Sequence, residues 1–327
     1  MITYLRQRNP LNYPLLLIYT FLINFSWFFS LPEPDKQSES FFYYLFGNHF
    51  HITDEFVAAI LSVGLIYITS LFLNAVFSRL KVFNEVNLLP AFIFVTLKAM
   101  FPLTAVLTPF YFALIIMFLV VYNLLLLFDM THAPEHLFFT SFFLGIAGLF
   151  YFPVNYYFLF ILIAFPVLKR PTLQELFLIP VGGAMPLFFV AFYFYLTDQL
   201  NVFHQVFVDV FPGFVVPDFS HYTFTIFPVV FLFVLLTIGF FQDKFAFMAK
   251  NVRETRFNTT FTVYFFISGA VFVFLTKLPF SFAVFFLIPV TFFLGSFFMK
   301  GNKKFINICL LLMMAVAVFQ QFLFIVD

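Results

Sequence analysis

Residues 108–128 read TPFYFALIIMFLVVYNLLLLF, an unbroken run without a single charged side chain. Folded as an α-helix, the run is about 30 Å long, which is the thickness of the hydrocarbon core of a bilayer. Apolar side chains fill nearly every position, so no face of this helix suits water. The run therefore predicts a helix that crosses a membrane.

The same pattern recurs along the whole chain, in which 63% of the residues are hydrophobic and only 9% are charged. Globular proteins usually have about 25% charged residues. The apolar segments are 12–31, 55–77, 87–104, 108–128, 137–153, 154–168, 174–197, 222–241, 258–276, 279–299 and 305–326. We predict an all-α polytopic bundle of about eleven transmembrane helices, with residues 1–327 forming one integral membrane domain. Pro153 separates the short fifth and sixth segments, which predicts a tight hairpin or a broken pair.

The positions of the charged residues predict the orientation of this bundle. With the N-terminus in the cytoplasm and the C-terminus in the periplasm, thirteen of the sixteen basic residues fall inside, as the positive-inside rule requires. Nine of the fifteen acidic residues fall outside, mostly in the outer loops 32–54 and 198–221. The first segment lacks a small-residue cleavage site, so we interpret it as a retained helix and not as a signal peptide. A net charge of +1 gives no indication of a nucleic-acid partner.

The two outer loops contain aromatic and amphipathic stretches. SFFYYLFGNHF at 40–50 suits a short helix lying in the membrane interface. In the second loop, Val202, Val206 and Val210 recur at every fourth position until Pro212 and Gly213, which predicts an amphipathic helix. Such segments either close the outer mouth of the bundle or bind a substrate.

The candidate site residues lie in or near these loops. Glu33 and Asp35 follow the first helix, where a carboxylate can act as a base toward a sugar hydroxyl. Lys98 lies inside an apolar segment; its long stem predicts that the ammonium reaches the outer interface, and a functional amine within the membrane is the alternative. The other candidate substrate-binding residues are Lys277, His204, Asp209 and His221.

HAPEH at 132–136 fits the H-x-x-E-H pattern of some zinc hydrolases, in which two histidines share a helix face. Pro134 interrupts that face, and Thr131 before it is a suitable N-cap, so the motif instead predicts the start of a helix. A cytoplasmic cluster of His132, His136, Asp129 and Glu175 is the alternative. Cys309 is the single cysteine, which excludes an intrachain disulfide and a cysteine-based metal site. We predict no metal and no cofactor.

Gly182 and Gly183 lie between Pro180 and Pro186 in the seventh segment. Adjacent small residues let two membrane helices approach closely, so the pair predicts a tight helix contact. A helix broken at a substrate site is the alternative. No inverted repeat is visible, which weakens a prediction of secondary transport.

Four stretches carry a resemblance to a known family: RNPLNYPLLLIY at 8–19, NEVNLLPAFIFVTL at 84–97, FLGIAGLFYFP at 143–153 and LKRPTLQELFLIPVGGAMPLF at 168–188. Together they resemble multi-pass inner-membrane proteins of Bacteroidota that are known as a domain of unknown function. The resemblance covers roughly the first 200 residues. It implies a location in the cell inner membrane, and it implies no activity and no catalytic residue.

The order of the first loop is also similar to that of membrane glycosyltransferases that use polyprenyl-phosphate sugars. In those enzymes an acidic exterior loop follows the first helix and an interfacial helix comes next, as Glu33, Asp35 and SFFYYLF do here. The loop is shorter than in those enzymes and no basic cluster lies outside, so Lys36, Lys98 and Lys277 would have to hold the lipid phosphate. The likeness implies a glycan- or lipid-modifying transferase that works on a lipid-linked sugar among membrane lipids.

Two non-enzymatic functions stand beside the transferase. The aromatic-rich helices suit a membrane subunit that scaffolds other membrane or envelope proteins. A small-solute transporter would need a polar path, for which Asn24, Asn74, Asn155 and Asn307 are available. The residues leave both enzymatic and non-enzymatic functions open.

Overall fold

The structure is a computed structural model. The structure describes residues 9–30, 41, 54–83, 87–102, 107–130, 134–210, 223–245, 251–274, 283–300 and 302–326. These residues form α-helices and short 3₁₀ turns and contain no strand, which confirms the predicted all-α fold. Their α-helices are α1 (Asn12–Ile23), α2 (Glu55–Arg79), α3 (Leu89–Ala99), α4 (Pro109–Leu126), α5 (Pro134–Phe150), α6 (Phe158–Leu168), α7 (Leu173–Leu196), α8 (Leu200–Val210), α9 (Thr223–Phe245), α10 (Val252–Phe274), α11 (Leu287–Lys300) and α12 (Lys303–Val326).

Each of the predicted apolar segments contains one of these helices, and α8 is the amphipathic helix predicted in the second outer loop. A 3₁₀ turn, Phe152–Tyr157, joins α5 to α6, so the proline between the fifth and sixth segments marks a turn. Four of the described helices are long and apolar enough to cross a membrane, namely Glu55–Arg79, Tyr111–Asp129, Leu173–Leu196 and Lys303–Phe324. Six shorter apolar helical stretches, of 10–17 residues, also lie within the described ranges.

The short helix α3 lies at the centre of the fold. All eleven of its residues are buried, because α1, α2, α11 and α12 pack around it. At about 1.5 Å per residue, α3 is only about 17 Å long, which is too short to cross a bilayer. Irregular backbone at the ends of such a helix is tolerated at membrane depth where it is enclosed by protein. The burial of α3 meets that condition.

Two arginines at the start of α10 connect the ends of other helices at one end of the bundle, which we call the arginine end. Arg253 Nη2 donates to the carbonyl of Leu80, which follows α2, and to Asp129 after α4, both at 2.9 Å. Arg256 Nη1 donates to the carbonyl of Leu168, the last residue of α6, at 2.6 Å. Cationic side chains complement the negative ends of helix dipoles. The C-terminal ends of α2, α4 and α6 therefore meet at one place.

The start of α7 is stabilised at the same end by a capping box. Thr172 and Glu175 bond reciprocally, and Lys169 Nζ lies 2.6 Å from a Glu175 carboxylate oxygen. Glu175 is almost completely buried, so its charge is compensated by this lysine and by the threonine. The contacts fix the turn between α6 and α7.

The glycine pair in α7 makes the close helix contact that its residues predict. A Cβ atom on Gly183 would lie 1.8 Å from the ring of Phe158, and one on Gly182 would lie 2.4 Å from the hydroxyl of Ser141. The helix runs unbroken from Leu173 to Leu196 through both of its prolines. The alternative of a broken helix at a substrate site is therefore wrong.

Candidate functional site

A buried amine is the main chemical feature of the end opposite the arginines. Lys98 lies in the last turn of α3, and its side chain is 0% exposed. Its Nζ atom is 4.8 Å from the centroid of the Trp27 ring, a geometry in which the ring quadrupole attracts a cation. The prediction that the ammonium reaches the outer interface is wrong, because α1, α2, α11 and α12 enclose the helix that carries it.

Three chain segments are joined by hydrogen bonds around this amine, at what we call the tryptophan end. Gln321 Nε2 on α12 donates to the carbonyl of Ala99 at 2.9 Å, and the hydroxyl of Ser26 donates to Gln321 Oε1. Trp27 Nε1 donates to the carbonyl of Pro102 at 3.3 Å. The orphan carbonyls at the end of α3 are thus satisfied by the segment after α1 and by α12. The same contacts hold the Trp27 ring, and with it the environment of Lys98, against the end of α3.

Two more polar contacts extend the cluster along α1. The hydroxyl of Tyr19 lies 2.8 Å from the hydroxyl of Thr96, while its ring stacks on Phe92 with centroids 4.4 Å apart. Asn24 is fully buried and donates from Nδ2 to the carbonyl of Thr20. Its Oδ1 atom has no hydrogen-bond partner among the described residues. A buried acceptor without a partner costs free energy, and such atoms often mark functional sites.

The two outer loops meet at the same end of the bundle, at the far ends of α5 and α7 from the arginines. Phe41 of the first loop is fully buried and stacks on Phe203 of α8, with ring centroids 5.5 Å apart. Phe207 packs edge-on against Phe152, with centroids 5.8 Å apart. The two loops therefore share one aromatic contact, which neither loop predicts by itself.

The other predicted site residues are placed only in part. Glu33, Asp35, Lys277 and His221 lie outside the described residues, and Asp209 lies in α8 with a side chain that is also outside them. His204 is exposed on α8. Lys98 is therefore the one predicted substrate-binding residue whose side chain has a described and buried environment.

The cytoplasmic cluster suggested by HAPEH does not form among the described residues. α5 begins at Pro134, which confirms the predicted helix start; Thr131 and His132 lie outside the described residues. His136 Nδ1 lies 3.3 Å from Asn123 Oδ1, whereas Asp129 pairs with Arg253 and Glu175 with Lys169. No group of three metal-ligating side chains occurs within the described part of the chain.

Sequence reasoning missed most of the residues around Lys98. Ser26 and Trp27 follow α1 and Gln321 lies on α12, far from α3 in the sequence, so no local pattern connects them to Lys98. Two signals were available, since Trp27 is the single tryptophan and Gln320–Gln321 is a pair of amides inside the last apolar run. Only the packing of α1 and α12 against α3 turns those signals into one cluster.

Comparisons with known proteins provide no further assignment. No family model, no curated protein and no solved structure matches the chain.

Proposed function

We propose that the chain is a multi-pass protein of the cell inner membrane, with about eleven transmembrane helices, a cytoplasmic N-terminus and a periplasmic C-terminus. Four helices of membrane-spanning length support membrane insertion. The charge distribution in the sequence predicts that the C-terminal ends of α2, α4 and α6 lie inside. These three ends meet at the start of α10, which supports the orientation. The resemblance to Bacteroidota inner-membrane proteins agrees with this location.

The proposed function is the recognition of an anionic, lipid-linked substrate from the periplasmic side, with Lys98 as the phosphate partner. The complete burial of Lys98 beside Trp27 is the observation that carries this proposal. An ammonium is expensive inside a membrane, and intramembrane charges usually mark a substrate or ion pathway. A phosphate that entered the cluster would meet this cation.

The accompanying chemistry is transfer of a sugar from a polyprenyl phosphate. Glu33 or Asp35 would take the proton of an acceptor hydroxyl, whose oxygen attacks the anomeric carbon, and the polyprenyl phosphate would leave with its negative charge beside Lys98. Both acids stand in the sequence between Ser30 and Phe41, which the structure places at the tryptophan end and in the loop contact. Glu33 and Asp35 are separated from Ser30 and Phe41 by only a few positions of the sequence, which supports a shared site.

The proposal is tested by the lipids that remain bound to the purified protein. Wild type, Lys98→Met and Lys81→Gln would be purified in mild detergent, and bound polyprenyl phosphates would be measured by mass spectrometry. Lys81 is an exposed lysine at the arginine end, so it controls for a change of net charge. We expect the polyprenyl phosphate to fall about tenfold in Lys98→Met, as for the loss of one charge-assisted contact, and to stay unchanged in the control. Equal amounts in all three proteins would refute the proposal.

A scaffolding subunit is the second candidate, and the surface of α7 favours it. Five large aromatic side chains of its second half are exposed: Phe188, Phe189, Phe192, Tyr193 and Tyr195. Such a strip suits either lipid or a neighbouring membrane protein. Co-purification of a stoichiometric membrane protein that is lost on Phe192→Ala would favour the scaffold.

Transport has less support from the described helices. Thr69, Ser70 and Thr291 each donate a hydroxyl to a carbonyl of their own helix. These hydroxyl hydrogens are therefore used within their own helices. The burial of every α3 residue also leaves the centre of the described bundle closely packed.

A further inference from the structure

A cavity of about 160 Å³ lies at the arginine end, between α10, α11 and the residues that follow α2. Its apolar walls are Val82, Phe83, Phe257, Phe292 and Met299, and its polar groups are Glu254, Asn258, Ser296 and Lys300. A single buried water needs only about 10–15 Å³ on this measure. The cavity can therefore hold a group of several non-hydrogen atoms, although it is smaller than the about 300–1,000 Å³ of a typical site for a whole small molecule.

The two charges of the cavity are of opposite sign and form a long ion pair. Lys300 Nζ and a Glu254 carboxylate oxygen are 3.6 Å apart, farther than the about 2.7–2.9 Å of a charge-assisted hydrogen bond. Both side chains are partly exposed, Lys300 at 42% and Glu254 at 25%. Lys300 and Glu254 therefore line the cavity as a loose, partly exposed ion pair, which a ligand with charges of both signs can replace.

This charge pair selects among ligands. An anion alone would gain from Lys300 and be repelled by Glu254, whereas a cation alone would meet the reverse. A zwitterion that carries an ammonium and a phosphate satisfies both side chains at once, and Asn258 adds a neutral hydrogen-bonding group from the next turn of α10. The aromatic side of the cavity, with Phe261 stacked on Phe292 at 4.0 Å, is suited to an apolar extension of the ligand.

We infer that this cavity binds a phosphoethanolamine group, with Lys300 against the phosphate and Glu254 against the primary ammonium. The predicted orientation places the arginine end at the cytoplasmic interface, where the head groups of phosphatidylethanolamine lie. The volume fits a head group whose chains remain outside, so the lipid is the source that we expect. The inference rests on the proposed membrane orientation, but the site is separate from the Lys98 cluster and does not depend on the transferase chemistry.

Native mass spectrometry of the full chain in mild detergent tests this inference. Wild type, Glu254→Gln, Lys300→Gln and Lys303→Gln would be titrated with phosphatidylethanolamine, phosphatidylcholine and phosphatidylglycerol of identical chains. Lys303 is an exposed lysine on α12 that does not line the cavity, so it is the matched control. The monodispersity and thermal unfolding of each variant would show that it is folded.

We expect wild type and Lys303→Gln to bind phosphatidylethanolamine about tenfold more tightly than phosphatidylcholine, because three methyl groups remove the N–H donors that face Glu254. Glu254→Gln should lose this preference, and Lys300→Gln should weaken binding of both lipids. If free phosphoethanolamine displaces the lipid when both are present at the same concentration, the site would be assigned to a soluble ligand of the same chemistry. Equal binding of the two lipids by wild type, or a preference that survives Glu254→Gln, would overturn the inference.

Discussion

The two ends of the bundle use charge in different ways. At the arginine end, charged side chains meet other charges or helix carbonyls; Arg253 is 31% and Asp129 47% exposed, and the buried Glu175 pairs with Lys169. At the tryptophan end a single amine, Lys98, is completely enclosed beside an indole ring and next to neutral hydroxyl and amide groups. The charges at one end therefore meet opposite charges or helix carbonyls, whereas at the other end an amine is enclosed beside an indole ring.

This difference separates a structural use of charge from a functional one. Partly exposed pairs are screened by water and salt, so each contributes little to stability, and their positions at helix ends explain why they are there. An enclosed amine costs solvation free energy, which the position of Lys98 in the last turn of α3, at the negative end of that helix dipole, offsets only in part. The arginine end should tolerate the loss of one charge, whereas changes at the tryptophan end should have large effects of either sign.

Replacement of Trp27 by alanine should have the largest effect. The indole is 2% exposed, contacts Lys98 and donates to the carbonyl of Pro102, so its removal leaves a cavity, an unpaired carbonyl and a less shielded amine. Large-to-small changes of this kind cost about 3–5 kcal/mol. Thermal unfolding in detergent would measure the loss. Phe29→Ala, which removes an exposed ring two residues away, is the control and should change the midpoint very little.

Replacement of Lys98 by methionine should stabilise the protein. Methionine has nearly the same shape and no charge, so the variant avoids the cost of burying an ammonium. We expect a higher unfolding midpoint together with the loss of bound polyprenyl phosphate proposed above. A lower midpoint would instead indicate that Lys98 is a structural cation. In that case the contrast between the two ends would not hold.

Replacement of Phe203 by alanine tests the aromatic contact between the outer loops. Phe203 stacks on Phe41 and on Phe207, and each such pair contributes about 0.5–1.5 kcal/mol. We expect faster hydrogen exchange and faster proteolysis in α8, with little change in the global midpoint. His204→Ala, next to it on the exposed face, should leave both rates unchanged. If α8 in Phe203→Ala is as protected from hydrogen exchange and proteolysis as in wild type, other contacts hold this helix in place.

The sequence predicts the helices of this fold well and their burial poorly. Long uncharged runs are local signals, so every predicted segment contains a helix, and Asp54 caps α2 as its place in the sequence suggests. The central position of α3 is not a local property, because its apolar composition resembles that of the helices around it. Its short length, Leu89–Ala99, becomes meaningful only once four other helices surround it.

The sequence identifies Lys98 as a candidate site residue but does not predict which residues surround it. An ionisable residue in an apolar run identifies Lys98 from sequence alone, but a long side chain near a helix end is equally consistent with a reach to the interface. The position of Gln321 against Ala99 decides between these outcomes, and those two residues are more than two hundred positions apart. Contacts at such a separation depend on how the helices pack, which hydropathy does not specify.

The smallest effect is expected at the arginine end, for the pair Asp129 and Arg253. A double-mutant cycle with Asp129→Asn and Arg253→Gln should give a coupling free energy of about 0.2–1 kcal/mol, as for other exposed pairs. Raising the ionic strength from about 0.1 M to about 1 M should abolish most of it, because the screening length falls from about 10 Å to about 3 Å. Thermal unfolding of the four proteins at both ionic strengths measures the coupling. A coupling that is larger and independent of salt would mean that this end is closed to water in the membrane, so the two ends would differ in geometry and not in their exposure to solvent.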